Sequence, residues 1–295
     1  MSVVYGSEKV TEGEISGVDG DKADAPTTAG PRRPWRSALA ADLRGAIPDA
    51  SLALVLSVLV FIVLWWRVEN ERSETVKLMP TLADSEYMPY YALQAVGWAA
   101  LWWSWATVIL GLLVAGGRPK WLRVKTRTIE KLHRTTSLTV IGFTFVHIAL
   151  MVWSRIANDN WGVLRSIGEC FVPWFWSGTF LGRFSIFIGL VAFYGAIILG
   201  ISYYFRHMVG VRAWRFAHRF SILVYVLAVW HTFIYGTNVW FTGYQRTALW
   251  VMQLPIAYLA LARLLAPLRR SERLPLTPGA LAARLDVMTV LRLGV

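Results

Sequence analysis

The sequence predicts an all-α membrane protein, a six-transmembrane-helix bundle with N- and C-termini cytoplasmic. Three observations predict it. Of the 295 residues 56% are hydrophobic and 14% aromatic, with a mean hydropathy of +0.46, beyond the range of a soluble domain. Apolar runs long enough to cross a hydrocarbon layer about 30 Å thick recur along the chain. Lys and Arg collect in alternate segments between those runs, the positive-inside pattern. That placement also accounts for the net charge of +12 and the pI near 10.1 without nucleic acid, because the cations sit in short connections and form no groove for phosphates.

Taken in order, Met1 to Gly30 is polar, with Glu8, Glu12, Glu14 and Asp19 scattered among Gly, Ser and Thr. It lacks the charged-then-apolar layout of a signal peptide, so residues 1–46 are expected to be a disordered cytoplasmic tail. Arg32, Arg33, Arg36 and Arg44 precede the first span, about Pro48 to Trp66, and hold the N-terminus inside. A loop rich in acids (Glu69, Glu71, Glu74, Asp84, Glu86) then faces outward. The second span, about Tyr90 to Ala115, returns to the densest basic stretch, Arg118, Lys120, Arg123, Lys125, Arg127 and Lys131. The third span, Lys131 to Trp153, therefore runs from inside to outside.

Its exit loop, Ser154 to Gly178, carries Trp161, Trp174 and Trp176, the composition of an aromatic belt at the membrane surface. A fourth span, about Arg183 to Phe205, contains Gly189, Gly195 and Gly200, which permit close approach of a neighbour. Arg206, His207, Arg212 and Arg215 make the next connection cytoplasmic, with His207 a solvated residue. The fifth span, Trp214 to Gly236, thus runs the same way as the third. After an outer turn, Asn238 to Arg246, the sixth span covers about Ala248 to Leu268, contains Pro255 and is closed by Arg269 and Arg270. The domain proper is 47–268. The tail 269–295, with Leu281, Leu285, Met288 and Leu291 beside Arg284 and Arg292, suits an amphipathic helix on the inner leaflet.

Four of the five histidines fall on the third and fifth spans, one near each end: His133 and His147, His218 and His231. An imidazole in hydrocarbon without a partner costs roughly 2–7 kcal/mol, so such groups face the protein interior. At about 1.5 Å per residue the two members of each pair lie about 20 Å apart and cannot share one metal. Because the two spans are co-directional, His133 is level with His218 and His147 with His231. Each level pair can hold a flat macrocycle between two nitrogens, which makes haem the natural ligand. Fourteen residues on a helix keep nearly one face. Thirteen fall about 140° short of four turns, an offset that tilt, crossing angle or a π-bulge must absorb.

With these spacings, and an Arg after each inner histidine (His133-Arg134, His218-Arg219), residues 50–268 resemble the ferric reductase and NADPH oxidase transmembrane domain. They are also similar to the haem-binding membrane subunit of the periplasmic methionine sulfoxide reductase system. The resemblance implies a six-helix bundle of the cell membrane with two b-type haems, His133, His147, His218 and His231 as iron ligands, and electrons passing between the two sides. Arg134 and Arg219 are the candidate partners of the haem propionates, and Arg183, near the outer end of the fourth span, is a further one.

The single cysteine, Cys170, excludes covalent c-type attachment and iron–sulfur motifs. The 25 or so residues after the sixth span hold no GxGxxG fingerprint and no room for a flavin or nicotinamide domain. Electrons must then come from a separate flavoprotein, from a flavin at the cytoplasmic face or from quinol. The acceptor is an extracytoplasmic protein or solute, and lipid is the remaining partner. The chain is expected to be an oxidoreductase electron-transfer component, either ferric reductase-like or the haem subunit of a dedicated extracytoplasmic reductase. From another class, a transporter or proton channel would use the histidines as a relay.

Overall fold

A computed structural model of the chain describes residues 34–117, 122–172, 180–236 and 243–273. These residues are all-helical, and six helices are long and apolar enough to cross a membrane. The elements are α1 (Trp35–Glu69), the short α2 (Glu74–Leu78), α3 (Met88–Leu112), α4 (Thr126–Asn158), the short α5 (Val163–Phe171), α6 (Phe180–Val209), α7 (Val211–His218), α8 (Ser221–Tyr235) and α9 (Gly243–Arg273). The spans are α1, α3, α4, α6, α7 with α8, and α9.

Lipid takes the place of water as solvent, so the outer faces are apolar. On α1, Leu52, Val55, Leu59, Ile62 and Val63 are exposed, while Ala46, Ala53, Ser57, Leu64 and Val68 are buried. The buried set recurs every seven or four residues, the stripe a helix presents to one neighbour line. Without a hydrophobic drive in lipid, small residues and polar bonds hold the spans together. Thr135 and Thr139 of α4 are buried, and Gly45 of α1 lies against the Thr135 methyl. Trp105 of α3 donates to the Met252 carbonyl of α9 at 2.6 Å, and Tyr225 of α8 donates to Gln253 at 2.8 Å.

Three element boundaries differ from the sequence reading. The first helix begins at Trp35 and runs through Pro48, so residues 35–46 are helical and not part of a disordered tail; residues 1–33 lie outside the described residues. What holds this extension is polar. Asp42 accepts from Arg134 of α4 and from Tyr204 of α6, each at 3.0 Å, and Trp35 packs on Phe205 at 4.8 Å. The last helix continues through Pro255 to Arg273, past Leu268. Of the tail expected over 269–295, residues 274–295 lie outside the described residues, as do Arg118, Lys120, Trp174, Trp176 and most of the outer turn near Asn238.

The fifth span is two helices. It breaks at Arg219 and Phe220, where the amides bond to the carbonyls three residues back, Phe216 at 3.2 Å and Ala217 at 3.0 Å. Such i→i+3 bonds overwind the turn. His218 and His231 therefore sit on separate helices, and the break resets the phase between them.

Asp42 ties three spans with two charge-assisted or hydroxyl bonds. Asp42→Ala is expected to lower stability by about 2 kcal/mol, read as an earlier thermal unfolding transition in detergent, with Asp42→Asn intermediate. A transition unchanged in Asp42→Ala contradicts this role.

Candidate functional site

All four paired histidines line one cavity of 1890 Å³ among α3, α4, α6 and the α7–α8 pair. A pocket for one small ligand occupies roughly 300–1,000 Å³, so this space suits more than one sizeable group. His133 and His218 face each other at one end, with ring centroids 6.0 Å apart and planes at 90°. His147 and His231 are neighbours towards the other end. The level pairing expected from charge counting is thus the pairing the fold makes. His207 is exposed and lines no part of the cavity.

Three of the imidazoles are held in one way. His133 Nδ1 meets the Thr107 carbonyl at 2.9 Å, His147 Nδ1 the Leu93 carbonyl at 2.7 Å, and His231 Nδ1 the Ser185 carbonyl at 2.7 Å. A carbonyl only accepts, so each Nδ1 carries the proton and each Nε2 keeps its lone pair. In an α-helix each of these carbonyls also serves the amide four residues on, which is a glycine every time: Gly111, Gly97 and Gly189. With no Cβ there, the imidazole can lie on the backbone and use the carbonyl's second lone pair. A Cβ would stand 3.0 Å from the His133 ring at Gly111, 2.9 Å from His147 at Gly97 and 2.6 Å from His231 at Gly189.

This glycine register was present in the sequence but unread. Gly97 and Gly111 are fourteen residues apart, as are His133 and His147 on the antiparallel neighbour. Gly189 was singled out only as one of three small residues on its span. The other two meet aliphatic groups, Gly195 against Val224 and Gly200 against Ile141.

His218 is held differently. Its Nδ1 is buried without a hydrogen-bond partner among the described residues, and none of the span glycines Gly97, Gly111, Gly189, Gly195 and Gly200 packs on it. Its ring stacks on Trp214 at 5.0 Å and 25°, and Trp214 Nε1 is likewise buried and unpartnered.

The donor set fits haem. Among the described residues no three His, Cys, Asp or Glu converge as they would in a closed zinc site. Each end offers two neighbouring imidazoles, which suits a metal that brings its remaining ligands in a macrocycle. Two imidazoles bound to one metal at about 2 Å each have ring centres roughly 6 Å apart, the separation at the His133 end. A metal-bound histidine ordinarily donates its other ring N–H to a carbonyl or carboxylate, as three of these four do.

The cations divide unevenly. Arg134 and Arg219 line the cavity, although Arg134 is also bound to Asp42. Arg183 is exposed at the start of α6 and is not among the lining residues. At the His147 end the lining guanidinium is Arg155, which sequence reasoning missed. It donates to Asp159 at 2.6 Å and to the Tyr235 hydroxyl at 3.2 Å, and Tyr235 stacks on His231 with centroids 5.9 Å apart. The signal was its place eight residues after His147, two turns along one face.

Trp161 sits between Arg155 and Arg165, 5.1 and 4.3 Å from their guanidinium carbons, a cation–π anchor. Cys170 is buried, and burial pushes its thiol up to about 11, so it stays protonated and unreactive near neutrality.

Comparison with curated proteins and with solved structures finds no match. The family described as ferric reductase like transmembrane component matches residues 96–229. That segment runs from α3 to α8 and holds His133, His147 and His218; His231 lies two residues beyond it. Residues 96–229 are therefore similar to a ferric reductase-like transmembrane domain, and the six spans make the chain a multi-pass membrane protein.

Proposed function

We propose that the chain conducts electrons across its membrane through two b-type haems, one held by His133 and His218 and the other by His147 and His231. The observation that carries this is the repeated clamp: three imidazoles with Nδ1 committed to a backbone carbonyl and Nε2 free, facing a shared cavity. Bound haem would supply a reversible one-electron couple; the protein supplies ligands, orientation and a dry path. The clamps fix which nitrogen is free and where it points, and they raise the basicity of the ligand. The apolar helices around the cavity exclude water.

Arg134 and Arg219 offer positive charge at the His133 end, which the charge distribution assigns to the cytoplasm, and Arg155 offers it at the other. These are the residues proposed to meet propionates. The proposed electron source is a flavoprotein, quinol or a flavin at the cytoplasmic face, and the proposed acceptor is extracytoplasmic; service to one dedicated reductase is the narrower form of the same reading. A proton relay is disfavoured by the clamps themselves. A relay histidine accepts on one nitrogen and releases from the other, and three Nδ1 protons here are held by carbonyls that cannot pass them on.

Two measurements test this. Purified protein is expected to show a low-spin b-type difference spectrum, with His133→Ala and His231→Ala each removing or altering the signal of one haem and sparing the other. A folded, colourless protein contradicts the reading. Gly189→Ala, whose Cβ would press on His231, is expected to weaken haem retention at that position by about 10–100-fold. Gly142→Ala, with nothing within 4 Å, is expected to retain haem like the wild type, as read by the haem-to-protein absorbance ratio. Equal retention in the two variants contradicts the clamp.

A further inference from the structure

The four ligand positions are not equivalent. His133, His147 and His231 are each fixed at two points, the ring packed on a glycine and Nδ1 bonded to a carbonyl at 2.7–2.9 Å. His218 has neither. It is the last residue of α7, directly before the break at Arg219 and Phe220, and none of the eight residues of α7 is buried. Its main support is the stacked Trp214 ring, which restrains the plane but makes no directional bond.

We infer that His218 is an exchangeable ligand, so that the His133 end carries a binding position for a small neutral ligand such as carbon monoxide or free imidazole, while the His147–His231 end is closed. This rests on the haem reading above. Loss of the outer hydrogen bond of a ligating histidine costs about 10–100-fold in metal affinity, and a ligand on a short, exposed helix beside a break swings away by local opening. His231, by contrast, moves only if α8 separates from α6. With haem bound, exchange would release the His218 nitrogen and admit one incoming ligand in its place, with no change of oxidation state. The buried, unpartnered Trp214 Nε1 is a ready donor beside the vacated position.

The test uses the full chain in detergent, reduced with dithionite and exposed to carbon monoxide, with haem counted separately. In the wild type one of two haems is expected to shift. His218→Ala is expected to keep one carbon monoxide-reactive haem, and His231→Ala to gain a second. If His218→Ala sheds a haem, the one that remains is expected to be unreactive. The inference is overturned if neither or both wild-type haems react, if His218→Ala shows two reactive haems, or if its sole remaining haem reacts. Two unreactive haems sink this inference alone, whereas protein without haem sinks the haem reading and this with it.

Discussion

Everything at the centre of this molecule depends on a short bond between an imidazole N–H and a helix carbonyl, made where the next turn has a glycine. Carbonyls inside a transmembrane helix are normally enclosed by the side chains around them. Removing one Cβ opens a slot just wide enough for the edge of a five-membered ring. The slot occurs at Gly97, Gly111 and Gly189, and a histidine from a neighbouring span occupies each. The cost of burying imidazole in hydrocarbon is thereby offset on one side of the ring, and the opposite nitrogen is left as a directed lone pair.

The same constraint sets the helix arrangement. Two clamps fourteen residues apart on α3 and α4 hold those antiparallel helices in one register along their length. The second pair has only one clamp, at Gly189, and there the spacing is thirteen. The backbone meets both requirements by breaking at Arg219 and Phe220, which aims His218 at His133 but leaves its Nδ1 without a partner. The break and the unpartnered Nδ1 thus fall at the same place in the fifth span.

Much of this was legible in the residues. Hydropathy and the alternation of basic segments are enforced by the membrane itself, so the six spans and the co-directional third and fifth could be read from them. The level histidine pairs followed. The start of α1 was legible in part, since residues 37–43 are rich in Ala and Leu, strong helix formers, but the partners that fix Asp42, Arg134 and Tyr204, lie more than ninety residues away. Arg155 was passed over although Asp159 lies only four residues on, because its second partner, Tyr235, comes from the end of another helix. Of the propionate candidates read from the sequence, Arg183 stands apart from the cavity, because its position along the span set its depth but not its face.

The proposed account rests on the geometry of the cavity together with the similarity of residues 96–229 to the ferric reductase like transmembrane component family. The measurement that bears on it most directly is the number of haems per chain in the purified full-length protein, taken together with the spin state of the oxidised iron. The account predicts two non-covalently bound haems per chain, both low-spin in the oxidised state. A chain that is folded and binds none, or binds one only, contradicts it.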